Sequence, residues 1–209
     1  MYLFRRTRQL NPAQARQAVA VAVEAGKRAS DICGLNISVW TTVMSRDVGL
    51  ISWASTVEHL TDLEMATDKL AVDGPFNDFI EENDHAFLGP LSDMVAQVVS
   101  GAIDPSGEPP AYAATVQATC ANGHLADGMA AGVELAAEAT RIGGLTTMFL
   151  ATATGDYGGV AWITGAPDLA ALEASNARVN SDSGFLALAD RVTHAYLPHA
   201  TMTIRRRLS

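Results

Sequence analysis

Gly49-Leu50-Ile51-Ser52-Trp53-Ala54-Ser55 leads through Leu63-Glu64 to Asp73-Gly74-Pro75-Phe76. The run returns late in the chain as Gly159-Val160-Ala161-Trp162-Ile163-Thr164, Leu172-Glu173 and Asp182-Ser183-Gly184-Phe185. Each copy holds a glycine, an apolar strand with one tryptophan, a helix with a Leu-Glu pair, and a break three residues before a phenylalanine. Gly and Pro together interrupt a helix, so Asp73-Gly74-Pro75 marks a stop and a restart.

The correspondence extends outward from these runs. At one constant offset, Tyr2, Ala20, Val23, Glu24, Gly34, Leu35 and Thr42 match Tyr112, Ala130, Val133, Glu134, Gly144, Leu145 and Thr152. After a single one-residue deletion, Trp53, Leu63, Asp73, Phe76, His85 and Leu88 match Trp162, Leu172, Asp182, Phe185, His194 and Leu197. A period near half the chain, with breaks at the same places, is the signature of a duplication.

Hydrophobic periodicity then places elements on each copy. In the first, residues 2–8 suit a strand, and Asn11-Pro12 caps a helix that Gly34 stops. Leu35 to Met44 and Val48 to Val57 read as an antiparallel hairpin through Ser45-Arg46-Asp47. A helix from Thr61-Asp62 is broken at Asp73 and resumes from Phe76 to Phe87, and Met94 to Val99 is a last strand. In the second copy, Tyr112 to Thr119, a helix over 122–141, a hairpin over 145–164, a helix capped by Asp168 and resuming at Phe185, and a strand over 201–208 repeat the order. The fold class is therefore α+β: two β-α-β-β-α-β repeats, each an antiparallel sheet with its helices on one face. The expected organisation is a first repeat over 1–100, a turn-rich linker over 101–110 and a second repeat over 111–209.

Composition narrows the function classes. The chain has 209 residues, 48% of them hydrophobic and 18% charged, as an ordinary globular protein does. The net charge of −9 disfavours nucleic-acid binding, which needs positive charge against phosphate. No apolar run approaches a membrane span of about 20 residues, and Met1 to Arg8 is not a signal peptide. Cys33 and Cys120 are the two cysteines, with no disulfide framework or metal-ligand spacing, so a cytoplasmic protein with reduced thiols and no metal is expected.

At the tryptophan strands, the acidic-hydrophobic second helices and the Asp-x-x-Phe restarts, the chain resembles the dimeric α/β-barrel superfamily. That superfamily includes antibiotic-biosynthesis and haem-degrading monooxygenases, muconolactone isomerase, and EthD-like and NIPSNAP-like proteins. The resemblance covers the chain twice over. It implies that the ferredoxin-like repeats fuse into one intramolecular barrel, a pseudo-dimer within one chain, with small molecules bound between sheet and helices of a half. Haem-degrading relatives carry their iron-ligating His about one turn after the restart. Ile80 and Ala189 stand there, so no haem and no other cofactor is expected.

The candidate ligand-binding residues are Trp53, Trp162, Trp40, Asn36 and Arg6; no catalytic residue is assigned. Tryptophans line pockets for flat apolar ligands, though core packing is the common use of a strand Trp. Asn36 beside a Trp fits the cofactor-independent oxygenases of the superfamily, but Thr146 stands at the equivalent place. Arg5, Arg6, Arg8 and Arg205 to Arg207 cluster at the chain ends, where an arginine fork grips a carboxylate or phosphate, or simply protects a sheet edge. His85 and His194 fall opposite the packing face of their helices, where they meet solvent or a further copy of the chain. His59, His124 and His199 sit at element ends as caps or surface groups.

Two functional readings stand side by side. One is a cofactor-independent monooxygenase or isomerase acting on an aromatic or polyketide-like substrate. The other is a non-catalytic ligand-binding or assembly protein that makes contacts through its outer helix faces.

Overall fold

The computed structural model describes residues 1–102 and 109–209. Residues 103–108, the middle of the expected linker 101–110, lie outside the described residues. Among the described residues the chain forms eight strands and six α-helices. The strands hydrogen-bond in the order β1-β3-β2-β8-β5-β7-β6-β4 and close on themselves. The fold is the α+β double ferredoxin-like repeat closed into a single barrel.

The chain divides into two compact units, Met1–Val95 with Arg206–Ser209, and Ala96–Arg205. Each repeat thus gives the end of its last strand to the other unit. The exchange could not be read from sequence order, because it follows from the strands' pairing.

In the first unit β1 (Tyr2–Leu10), β2 (Ser38–Val43) and β3 (Leu50–Val57) form an antiparallel sheet with β3 in the middle. Arg6 lies directly opposite Trp53, which lies opposite Val39 on its other side. Directly opposed residues share a sheet face, so these three form one row. Asn11 accepts from the Ala13 N–H to start a 3-10 turn over Pro12–Gln14, which runs into α1 (Ala15–Cys33). Gly34, at φ 80°, ends α1 with its N–H on the Ser30 carbonyl. α1 buries Ala18 and Ala22 against Val39 and Ile51. α2 (Leu60–Val72) stops where expected, and the Asp73 carboxylate takes the Phe76 N–H at 2.8 Å to open α3 (Gly74–Glu82).

Several boundaries differ from the sequence reading: the restarted helix of the second copy ends at Val192 rather than Tyr196, β2 begins at Ser38 rather than Leu35, and the largest difference lies after α3. The sequence pattern carries the restarted helix to Phe87, but α3 ends at Glu82 and β4 (Phe87–Ser100) begins at Phe87. The reason is tertiary. Phe87 packs on the Trp53 ring at 5.9 Å, and β1 side chains satisfy the irregular Gly89-Pro90 stretch. Arg8 Nε donates to the Gly89 carbonyl and Thr7 Oγ1 to that of Ser92.

The second unit repeats the plan with β5 (Tyr112–Thr119), α4 (Leu125–Gly143), β6 (Thr147–Thr152), β7 (Gly159–Ala166), α5 (Leu169–Ser181), α6 (Ser183–Val192) and β8 (Thr201–Arg207). The row equivalent to Arg6–Trp53–Val39 is Val116–Trp162–Phe149. Asp182 caps α6 through the Phe185 N–H at 2.8 Å, as Asp73 caps α3. The Phe149 ring lies directly over Gly132 on α4, where any Cβ would collide with it. In the first unit Ala22 and Val39 occupy these two places. Tyr196 packs on Trp162 and donates from its hydroxyl to the Gly128 carbonyl at 2.6 Å.

Two outcomes follow for stability. Gly132→Ala gains about 1 kcal/mol of helix propensity but forces overpacking worth about 1–3 kcal/mol. It is therefore destabilising in the native chain and stabilising in a Phe149→Val background, a sign reversal that urea unfolding of the four proteins of the cycle reads directly. Burial raises the Tyr196 pKa, with Cys120 adding to the shift, and burial raises the Cys120 thiol too. The unfolded state therefore sheds protons that the native state keeps. Stability falls as pH rises from about 8.5 for the thiol and about 10 for the phenol. Tyr196→Phe costs about 0.5–1.5 kcal/mol for the lost hydrogen bond and flattens the fall above about pH 10, measured by urea unfolding across alkaline pH.

Candidate functional site

A cavity of about 420 Å³ lies inside the first unit, between its sheet and helices α1, α2 and α3. Its size falls in the range of ordinary small-molecule sites. Phe4, Arg6 and Arg8 reach it from β1 because alternate residues of a strand share a face. Trp53 reaches it from β3, and Phe87 and Asp93 from β4. The helical side is mostly small and aliphatic, with Val21, Ala25 and Ala29 of α1, Leu63 and Leu70 of α2 and Ile80 of α3, and it also carries Thr67, Phe76 and Asn77. α1 presents alanines at a spacing of four, so its surface there is shallow, and this leaves room between helix and sheet.

The polar groups are few and mostly committed. Arg6 holds Asp93 through two parallel hydrogen bonds, Nε to Oδ1 at 2.8 Å and Nη2 to Oδ2 at 2.7 Å. The hydrogen bonds that Arg6 donates to Asp93 raise the Arg6 pKa, against a smaller lowering from burial. Two of the five guanidinium N–H groups are used in that fork. Arg8 pairs with Asp84 at 2.7 Å and lies over the Phe87 ring. Asn77, also in the lining, donates to the Leu70 and Ala71 carbonyls at the α2–α3 break. Trp53 gives its indole N–H to the Ala22 carbonyl at 2.9 Å. It therefore offers the cavity ring surface and no free donor.

Of the sequence candidates, the structure brings Arg6 and Trp53 together here, opposite one another across β1 and β3. Trp40 follows Val39 on β2, so it faces the other side of the sheet, with its indole donating to Ser38 Oγ at 2.8 Å. Asn36 is exposed, between α1 and β2, and is not in the cavity lining. Trp162 is packed in the second unit between Phe149 and Tyr196, with its indole on the Gly132 carbonyl at 2.9 Å. Arg5 meets the Met94 sulfur and Arg205 donates to Thr115 Oγ1. His85 and His194 are exposed, and His59 caps α2.

The sequence reading missed Asp93, Phe87 and Ala25. A signal existed in the duplication itself. Where the first unit has Phe4, Arg6, Arg8 and Ala25, the second has Ala114, Val116, Ala118 and Leu135. Leu172, the counterpart of the cavity residue Leu63, is fully buried in a core cluster with Ala114 and Ala166. Positions that change size and polarity between two copies of one fold mark where their packing differs, and here they coincide with the cavity lining.

No protein-family model and no curated protein matches the chain. Solved structures do. A proposed monooxygenase from Fusobacterium nucleatum aligns over 100% of this chain and 92% of its own, with TM-score 0.74 and 8% identity. An anthrone oxidase-like protein aligns over 100% and 91%, with TM-score 0.64 and 11% identity. A heme-binding protein from Thermus thermophilus aligns over 100% and 91%, with TM-score 0.53 and 12% identity. These likenesses show the fold alone, an α+β chain whose eight strands close into a barrel.

Arg6 and Asp93 are each about two-fifths exposed, so their pairing is screened. A double-mutant cycle with Arg6→Leu and Asp93→Asn is expected to show coupling of no more than about 1 kcal/mol in unfolding free energy. A substantially larger coupling shows that the pair anchors the fold.

Proposed function

We propose that the first unit's cavity binds a small, flat, largely apolar molecule and that the chain acts on it as a cofactor-independent monooxygenase or isomerase of aromatic or polyketide-like substrates. The observation carrying this reading is the pairing of an aromatic and aliphatic cavity with a single carboxylate–guanidinium fork in its lining. Trp53 and Phe87 give a planar ligand its ring contacts. Asp93, the one carboxylate among the described lining residues, is the group able to take a proton from an enolisable or phenolic substrate. The remaining Arg6 N–H donors stabilise the oxyanion that such a step creates. The names of the structural neighbours, a proposed monooxygenase and an anthrone oxidase-like protein, agree with this chemistry.

The neighbour from Thermus thermophilus is named for heme binding, which raises the question of haem here. Axial haem ligands are His, Cys, Met or Tyr. The described lining residues include no His, Met or Tyr. Cys33 does line the cavity, but its sulfur sits at the C-terminal end of α1 against the Leu35 N–H at 3.5 Å. Ile80 stands in the lining where the haem-degrading pattern has its histidine. These residues do not fit haem, and no step is derived through it.

A second reading, a binding protein without catalysis, is favoured by one observation: Asp93 and Arg6 already satisfy each other. Turnover separates the two. Oxygen uptake and product analysis with anthrone and naphthol-like phenols are expected to show turnover that Asp93→Asn abolishes, while binding persists. Ala25→Leu, which installs the second unit's residue, is expected to fill the cavity and remove binding while folding is kept. Binding unchanged in Ala25→Leu contradicts the site. Binding without turnover of any tested compound favours the second reading.

A further inference from the structure

The duplication exposes a second difference, on the outer side of the second unit. His124 precedes α4, Asp127 lies in its first turn, and His194 lies in the 3-10 turn Thr193–Ala195 that follows α6. One ring nitrogen from each histidine and one carboxylate oxygen from Asp127 lie within 4.8 Å of one another. The two imidazoles meet edge to face at 5.4 Å between centroids. In the first unit the equivalent residues are Gln14, Gln17 and His85, and there the Gln17 amide nitrogen approaches His85 Nε2 at 3.4 Å. The histidine common to both copies thus meets the neutral Gln17 amide in one and a His–Asp pair in the other.

We propose that His124, Asp127 and His194 form a divalent transition-metal site, with zinc the ion this donor set suits. Imidazole and carboxylate together are ordinary zinc donors. His194 Nδ1 lies 3.1 Å from the Arg191 carbonyl, which only accepts, so Nδ1 carries the proton and Nε2 is left as the ligand lone pair. A backbone carbonyl on the second ring nitrogen is the usual support for a metal-bound histidine. His124 Nδ1 lies 3.2 Å from Asp127 Oδ2, and a cation between them takes the place of the shared proton. The three residues sit on a fixed frame. The Ala121 N–H donates to the Ala195 carbonyl at 2.8 Å and that of Gly128 to the His124 carbonyl at 2.8 Å, so the loop before α4 is tied to the turn holding His194. Three protein ligands leave at least one position for water or a ligand atom. The site escapes motif reading because its third ligand is far away in sequence, and it does not depend on the cavity or on what the cavity does.

The test is titration of tag-free protein with zinc chloride by isothermal calorimetry, with circular dichroism confirming that each variant is folded. The native chain is expected to bind one equivalent at this site. His124→Gln with Asp127→Gln, which restores the first unit's pattern, is expected to weaken that binding by at least about tenfold. Gln14→His with Gln17→Asp, which builds the same triad around His85, is expected to add a second equivalent. Absence of zinc binding by the native chain, or unchanged binding in the His124/Asp127 variant, overturns the proposal. A stoichiometry that stays at one in the Gln14/Gln17 variant shows that these positions do not make a site and also overturns it.

Discussion

The hydrogen bond from a strand tryptophan to a carbonyl of the first helix governs both units. Trp53 donates to Ala22 and Trp162 to Gly132, each at 2.9 Å. A helix carbonyl has a second lone pair beyond its own i+4 partner, so the indole can dock there without unwinding the helix. The bond fixes how near the helix comes to the sheet. Only small residues fit beneath that approach, which is why α1 carries Ala18, Ala22 and Gly26, and α4 carries Gly128, Gly132 and Ala136. An indole buried without the bond would carry an unsatisfied donor at a cost of about 1–3 kcal/mol.

From that shared constraint the units diverge by side-chain volume. In the second unit the Trp162 row is completed by Phe149 and Val116, and Phe149 is fully buried against Gly132. In the first unit the row holds the smaller Val39 and the charged Arg6. Arg6 turns its fork to Asp93, and the alanines of α1 leave the space unfilled. The cavity therefore needs no special backbone. It arises from a few size changes within a scaffold that the second unit shows packed around its own tryptophan.

Much of this was legible in the chain. Helix stops at Gly34 and Gly144, the caps at Asn11 and Asp168, and the breaks at Asp73 and Asp182 all rest on local chemistry, and local chemistry is what a sequence displays. The end of α3 escaped the local pattern because Phe87 is drawn into β4 by a distant partner, Trp53. The exchange of strand ends between units was hidden for the same reason. Among site residues, Arg6 and Trp53 could be singled out by type, but three tryptophans of one type lie in three settings: a cavity wall, a packed core and the opposite sheet face. Strand register separates Trp53 from Trp40, and the bulk of the row neighbours, Val116 and Phe149 against Arg6 and Val39, separates it from Trp162. Asp93 was invisible because the sequence pattern starts its strand one residue later.

The central claim is that two copies of one fold share a tryptophan–helix clasp and that the cavity beside the first, proposed above as a ligand site, places Trp53 against its ligand. Fluorine NMR of protein labelled with 5-fluorotryptophan reads all three indoles at once as an aromatic ligand is titrated in. The Trp53 resonance is expected to shift to saturation while those of Trp40 and Trp162 stay in place. A saturable shift confined to Trp162 or Trp40, with Trp53 unmoved, would contradict the account.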